Sequence, residues 1–436
     1  MIQEICLLLL KLTAVYFFSI NFLYGILMLL SWMKVKKYGR ETRNAVPSDK
    51  LPAVSFIIPA FNEESLIVET IQTYLALPQD KKEIIVINDG SHDKTFKLLQ
   101  NMFQLRRLEE GSEDFSSITH PHLRVLEAAH MGKAQALNLG IARAQYNLIC
   151  TMDADTIPSA RGVEGCLRAF AQDSKLVAAG GVIQILKAPG WYNKFQGLEY
   201  LRTFLCERLG WSLLGSTTLI SGAFCMVKKT ALKKIDGFRP SSITEDFDLI
   251  VRLRKAFPGQ NNRFRILPIT TCYTQVPRDT KHLMVQRIRW QLGLIETLYK
   301  NLDLCFHPGH GLLGLIAIPY SWIVEVFSPI LEFTALAIIP FALALGWIDY
   351  QTVGLYLLIG LVFNITITLF GIYLDNRYVS RNKNWSCFQS VFQSTIMHFG
   401  YKQLNSWWRL LALMKSFKKN KEWGDKPRAE ITPQTL

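Results

Sequence analysis

The sequence predicts an α/β domain built on a mostly parallel sheet, held between membrane-crossing helices at both ends. Three observations predict it. Short apolar runs alternate with amphipathic helical segments between about residues 53 and 300. An apolar stretch of bilayer-spanning length stands near the start of the chain, and two more lie beyond residue 326.

At 436 residues the chain exceeds one ordinary domain, and 49% hydrophobic content with a mean hydropathy of +0.15 is high for a soluble enzyme. The excess lies at the ends. Residues 7–32 contain one charge, Lys11, and no small-residue cleavage site follows, so residues 1–33 read as a retained anchor. Residues 327–348 and 353–374 are the further spans, within a C-terminal membrane region at 306–384.

The net charge of +14 clusters beside the spans. Lys34, Lys36, Lys37, Arg40 and Arg43 fall in a basic linker at 34–52; Lys415, Lys418, Lys419 and Lys421 fall in the last segment, 385–436. This positive-inside pattern predicts a multi-pass protein of the cell (inner/plasma) membrane with residues 53–305 in the cytoplasm, and such clusters also favour anionic membrane lipids. Within 385–414, Lys402 and Arg409 interrupt the apolar run and Trp407-Trp408 suit an interface; a further span is the alternative. Nucleic acid is not an expected partner, because the soluble part has no basic stripe with interleaved aromatics. The eight cysteines form no Cys-x-x-Cys pair and have no nearby histidines, which argues against a zinc site and a disulfide framework. Reduced thiols suit a cytoplasmic domain.

The elements follow in order. Residues 54–58 are an apolar strand ended by Pro59, and Glu63-Glu64 then supply acidic residues to the first turn of a helix carrying Ile67, Ile71 and Leu75. Residues 83–87 form a second strand, stopped by Asn88-Asp89-Gly90-Ser91, and 123–126 a third. Residues 105–121 are polar and read as an exposed excursion. A helix from about Lys133 puts Ala134, Leu137, Ile141 and Ala144 on one face, and the strand 147–152 follows it. Ligands of such a sheet bind at the carboxyl ends of its strands.

That edge collects the residues with chemistry. Asp153 and Asp155 stand two apart just past a buried strand, where two carboxylates facing a phosphate-bearing ligand call for Mg²⁺ or Mn²⁺; a solvated turn is the alternative. Phe61, Glu63 and Asp89 end two strands, and an aromatic beside a carboxylate suits stacking on and bonding to a nucleotide base. The alternative is a turn aspartate bonding its own backbone. Gly132-Lys133 opens a helix, where free N–H groups and a lysine attract phosphate. Thr244-Glu245-Asp246 reads either as an N-cap with acidic first-turn residues or as a general base at a helix start, its pKa lowered there by the helix dipole. Gln286-Arg287-Ile288-Arg289-Trp290 begins an amphipathic helix; its arginines either snorkel to headgroups or, as Arg289, clamp a diphosphate, with Trp290 stacking on a sugar face.

In this order the motifs Phe61-Asn62-Glu63-Glu64, Asn88-Asp89-Gly90-Ser91, Gly132-Lys133, Met152-Asp153-Ala154-Asp155, Ser221-Gly222-Ala223-Phe224, Thr244-Glu245-Asp246 and Gln286-Arg287-Ile288-Arg289-Trp290 resemble those of the inverting family 2 glycosyltransferases of GT-A fold. The likeness is to the membrane-embedded processive synthases, the poly-β-1,6-N-acetylglucosamine synthases above all. It covers about residues 53–300. It implies a UDP-sugar donor and a polysaccharide or lipid-linked acceptor, with room for an accessory membrane or export subunit. It makes Asp89 the uracil contact and Asp153 and Asp155 the diphosphate and metal residues. Asp246 becomes the catalytic base with Glu245 beside it, and Gln286, Arg289 and Trp290 the diphosphate and acceptor site. The segment 199–204 matches no pattern tied to one sugar.

Overall fold

The computed structural model describes residues 1–41, 46–186, 190–258, 263–277, 279–379 and 386–418. Ten strands form one sheet: β1 Val54–Ala60, β2 Lys82–Asp89, β3 Leu105–Arg107, β4 Asp114–Ser117, β5 Leu123–Ala128, β6 Leu148–Thr151, β7 Thr156–Pro158, β8 Ala178–Ile185, β9 Cys225–Lys228 and β10 Phe264–Thr274. Their order across the sheet is β3-β4-β5-β2-β1-β6-β9-β8-β10-β7. The core β5-β2-β1-β6 is parallel, as is β8 with β10; β9 runs antiparallel between β6 and β8. Strands β1 and β2 are buried on both faces, which explains their unbroken apolar sequence.

Pro59 does not end β1. The ladder with β6 stops at Ile57, and Met152 donates to the Ile57 carbonyl, so Pro59 points its missing N–H where no partner strand remains. The polar segment 105–121 is likewise not a free excursion. Its hairpin, β3 and β4, extends the sheet beside β5, and buried Phe115 packs edge-on against Phe96 at 5.3 Å. Glu63 and Glu64 precede the helix Ile67–Leu75 instead of opening it. They stitch two loops together: Glu63 N–H donates to Thr95 Oγ1 at 2.8 Å, and Glu64 accepts from Lys94 N–H at 3.0 Å.

Among the described residues three helices are long and apolar enough to cross a membrane: Ile2–Arg40, Leu313–Ala344 and Tyr350–Val379. The first runs without a break from Ile2 to Glu41, so Lys34, Lys36, Lys37 and Arg40 continue the helix and are not linker; Arg43 lies outside the described residues. The second begins before residue 327, at Leu313, and changes geometry at Phe327 before the helix Ser328–Ala344. Arg381, Lys383, Lys419 and Lys421 lie outside the described residues.

The sheet domain and the long apolar helices are packed as one body. The helix Trp191–Arg202 continues through a widened turn, Thr203–Arg208, into Leu209–Leu213, which lies on the N-terminal helix. Gly210 makes that approach possible: a Cβ there would sit 2.5 Å from the Leu27 carbonyl oxygen. At the other end Asn364 accepts from Arg202 and donates to the Ser394 carbonyl at 2.9 Å. Residues 387–418 form the helices Cys387–Ile396 and Lys402–Lys418, the second packed on Thr280–Lys300, with Trp408 buried and Trp407 exposed.

Candidate active site

The loops after β1, β2, β5 and β6 meet at the carboxyl edge of the sheet. Asp89 closes β2, and its carboxylate accepts from Met131 N–H at 2.8 Å and Gly132 N–H at 2.9 Å, with His130 Nδ1 3.1 Å away. This is not a turn aspartate bonding its own backbone. It pins the loop after β5, and at 3% exposure its side chain is turned inward. The Phe61 ring lies 4.3 Å from that of His130, tilted by 31°, a pairing that sequence reading missed.

Gly132, at φ 86°, lets the loop turn directly into the helix Lys133–Arg143. Lys133 Nζ then sits 2.5 Å from Asp153 and 2.7 Å from Glu245. Burial opposes the lysine's charge, but the two carboxylates outweigh it and raise its pKa. Glu245 responds in the opposite sense: burial would raise it, yet Lys133 and Arg289 hold it down at about 2.

The remaining acids are under-compensated. Burial, then the charge of Asp153, pushes Asp155 up to about 6. Burial, then Asp155 and Asp153, pushes Glu63 up to about 7. Among the described residues no set of three histidine, cysteine or carboxylate side chains converges as a metal cage.

Asp246 is half-buried at the start of the helix Glu245–Ala256, where it accepts from Gly222 N–H and from Phe247 N–H, both at 2.9 Å. The helix dipole does not lower its pKa. Burial, reinforced by neighbouring Glu245, raises it. Thr244 holds the N-cap position, but its hydroxyl makes no capping bond.

Gln286, Arg289 and Trp290 lie more than a turn inside the helix Thr280–Lys300, not at its start. The two arginines separate. Arg287 makes two bonds to Glu199, at 2.8 and 2.7 Å, and lies 4.7 Å from the Trp290 ring centroid; Tyr401 donates to the same Glu199 at 2.9 Å. Arg289 turns the other way, 3.4 Å from the Ile243 carbonyl. Gln286 Oε1 is buried without a partner among the described residues.

A cavity of about 610 Å³, within the range of ligand sites, joins these groups. Lys133, Asp153, Asp155, Glu245, Asp246, Gln286, Arg289 and Trp290 all line it. Phe61, Glu63 and Asp89 do not; they stand at the ends of β1 and β2 beside it.

Two family descriptions match, Glycosyl transferase family 2 over residues 55–236 and Glycosyl transferase family group 2 over 148–365. The chain belongs to the family 2 glycosyltransferases. It is 31% identical over 294 residues to a poly-beta-1,6-N-acetyl-D-glucosamine synthase of Staphylococcus aureus, a match covering 65% of this chain and 67% of that one. The synthase of Staphylococcus epidermidis is 30% identical over 292 residues, covering 64% and 66%. The fold resembles that of the mannosyltransferase PcManGT from Pyrobaculum calidifontis, solved in complex with GDP-Man and Mn²⁺. That likeness has a TM-score of 0.58 at 18% identity and covers 90% of this chain and 99% of that one. The glycosyltransferase thus has the GT-A-like mixed sheet with long apolar helices at the N-terminus and in the C-terminal region.

Apart from Glu325, sequence reading missed the far wall of the enzyme's cavity: Glu207, Arg208, Trp211, Tyr320 and Arg409. A charge inside apolar surroundings is the one signal that marks the ionic members of this wall. Helical spacing puts Glu325 and Glu332 two turns apart on one face of an apolar stretch, either lining a polymer path or, for Glu325, solvated in the interface; the structure separates them. Glu325 lines the cavity, while Glu332 accepts from Ser406 outside it.

Proposed function

We propose that this enzyme transfers N-acetylglucosamine from a UDP-sugar, with inversion, to a β-linked cell-surface polysaccharide. Its catalytic domain would face the cytoplasm. One observation carries the reading: a continuous cavity lined by Lys133, Asp153 and Asp155 at the donor side, by Asp246, and by residues of a membrane-length helix, Tyr320 and Glu325. The N-acetylglucosamine assignment rests on the relatives, which are named for that sugar.

Asp246 accepts the proton of an acceptor hydroxyl as that oxygen attacks the anomeric carbon. The bond to the UDP oxygen breaks on the opposite face and UDP leaves with the electron pair. A positioned base of this kind contributes roughly 10²- to 10⁴-fold. Burial suits Asp246 to the task, since a raised pKa strengthens it as a base. Lys133 and Arg289 face the negative charge that develops on the diphosphate, and Trp290 offers a ring to the sugar.

Asp155, with Asp153, fits a divalent cation. Burial and the charge of Asp153 raise the proton affinity of Asp155, and of the two only Asp153 pairs directly with Lys133. Their carboxylate oxygens are the hard ligands that Mg²⁺ and Mn²⁺ prefer, and Asp153 and Asp155 would hold such an ion. When bound, the ion neutralises charge on the leaving diphosphate. Incubating purified membranes with labelled UDP-sugars and sizing the products tests the whole reading. A polymer from UDP-N-acetylglucosamine is the expected product; transfer of a single sugar to lipid, or no transfer, refutes it.

A further inference from the structure

The helix Glu245–Ala256, which carries Asp246, is not held by its own N-cap side chain. A threonine at that position ordinarily bonds the first turn, yet the Thr244 hydroxyl is buried with no hydrogen-bond partner among the described residues. The hold comes from the helix Thr280–Lys300. Glu296 Oε2 accepts from Ile243 N–H at 2.9 Å, and Arg289 donates to the Ile243 carbonyl at 3.4 Å. Between these two, Gly293 meets Thr244: a Cβ on the glycine would lie 2.3 Å from Thr244 Oγ1 and 2.8 Å from Thr244 Cβ. Positions 289, 293 and 296 are spaced i, i+4 and i+7, so they share one face of their helix. Glu296 is itself fixed. It is 4% exposed, and its other oxygen lies 2.7 Å from Lys300 Nζ.

We infer that Glu296 is a positioning residue for the transfer step: through Ile243 it sets where the helix Glu245–Ala256 begins, and so where the Asp246 carboxylate stands. The inference rests on Asp246 as the base, as proposed above. The lever is short, since only Thr244 and Glu245 separate Ile243 from Asp246. Beyond it the first turn is tied by Glu245 to Lys133 and by Asp246 to Gly222 N–H. On the near side it is tied by Glu296 and by the close seat of Thr244 on Gly293. A bond from a backbone N–H to a carboxylate is stronger than one to a neutral acceptor, which suits a fixed point. A buried carboxylate is tolerated only when paired and hydrogen-bonded, and Lys300 and Ile243 N–H meet both needs. Because Glu296 and Arg289 share one rigid helix, the base is set in register with the guanidinium that faces the diphosphate. A misplacement of about 1 Å costs on the order of 10²-fold in rate, so this hold bears on chemistry beyond its part in folding.

The test uses the full-length protein in lipid nanodiscs with UDP-N-acetylglucosamine, Mn²⁺ and a β-1,6-linked N-acetylglucosamine trimer as acceptor. Single-turnover transfer, UDP affinity by calorimetry and the unfolding midpoint are read on each preparation. Glu296→Ala should slow transfer by about tenfold to a hundredfold, the scale of a misplaced base, with UDP affinity unchanged. Glu296→Gln keeps an oxygen for Ile243 N–H but loses the charge that pairs with Lys300. It should regain most of the transfer rate while its unfolding midpoint falls, which separates position from stability. In an Asp246→Asn background Glu296→Ala should cost no further rate, because a residue that acts through another is not additive with it. Gly293→Ala carries the test where Glu296→Ala fails to fold. Its methyl group must displace Thr244, so it should slow transfer at unchanged UDP affinity and be equally non-additive with Asp246→Asn. A Glu296→Ala protein that binds UDP and transfers at the parent rate overturns the positioning role. So does a full further loss in the Asp246→Asn background, or a Glu296→Gln variant as slow as Glu296→Ala. Normal turnover by Asp246→Asn alone overturns the base reading, and the positioning role with it.

Discussion

Replacing Asp246 by asparagine separates chemistry from support. The substitution removes the only carboxylate that takes an N–H from Gly222 and another from Phe247, one on each oxygen. Asparagine has one oxygen, so its NH₂ must confront one of those two donors. An unmatched buried N–H costs about 1–3 kcal/mol, which should appear as a lower unfolding midpoint. Loss of the base should cut kcat by on the order of 10² to 10⁴. UDP affinity should stay near that of the parent, because Lys133, Asp153 and Arg289 are untouched. The assay is single-turnover transfer with UDP binding and thermal unfolding measured on the same preparation. A variant that loses stability yet turns over normally per folded molecule would refute the base assignment and leave Asp246 a purely structural acceptor. The pH profile adds a check. Asp246 must be ionised to act, and its folded pKa lies above the ordinary 3.8, so the acidic limb of kcat should fall above that value. The sign for stability is the reverse: this group's contribution is full below its unfolded pKa and is lost as the pH rises through the raised folded value.

Further outcomes follow from the same geometry. Asp155→Asn should abolish Mn²⁺-dependent UDP binding without unfolding the protein, and EDTA should do the same to the parent; calorimetry reads both. With Asp155 at about 6 and Glu63 at about 7, Mn²⁺ affinity should strengthen as the pH rises through 6 to 7, because the cation competes with their protons; a pH-independent affinity would remove Asp155 from the metal site. Arg287→Ala should destabilise by on the order of 3 kcal/mol, since it strands Glu199, whereas Arg289→Ala should weaken UDP-sugar binding and leave the unfolding midpoint nearly unchanged. Lys97→Cys, at an exposed helical position, should resist an impermeant thiol reagent in intact cells if the domain is cytoplasmic. Position 90 is unsuitable for that probe, because Gly90 has φ 70° and a Cβ there would sit 2.6 Å from His130 N.

The sequence by itself determined the sheet core, the membrane-length helices and the acids at the sheet's carboxyl edge, for physical reasons that are local. Strands β1 and β2 are buried on both faces, so their apolar runs have no other reading. Asp153, Asp155 and Lys133 each sit within two or three residues of an element end, and such ends are marked by composition. What needed the tertiary structure is what depends on partners distant in sequence. Both arginines border the cavity, and only the fold could tell Arg287, committed to Glu199 from 88 residues away, from Arg289, which meets the Ile243 carbonyl instead. Only the fold could reverse the pKa of Asp246, because burial and the charge of Glu245 outweigh the helix dipole that sequence reading invokes. The split between Glu325 and Glu332 has the same origin: helical spacing puts both on one face, and it took Ser406, 74 residues on, to claim Glu332. The far wall of the cavity, Glu325 apart, was illegible for the strongest reason. Its six side chains come from three segments spread over some 200 residues, and nothing local to any one of them announces the others.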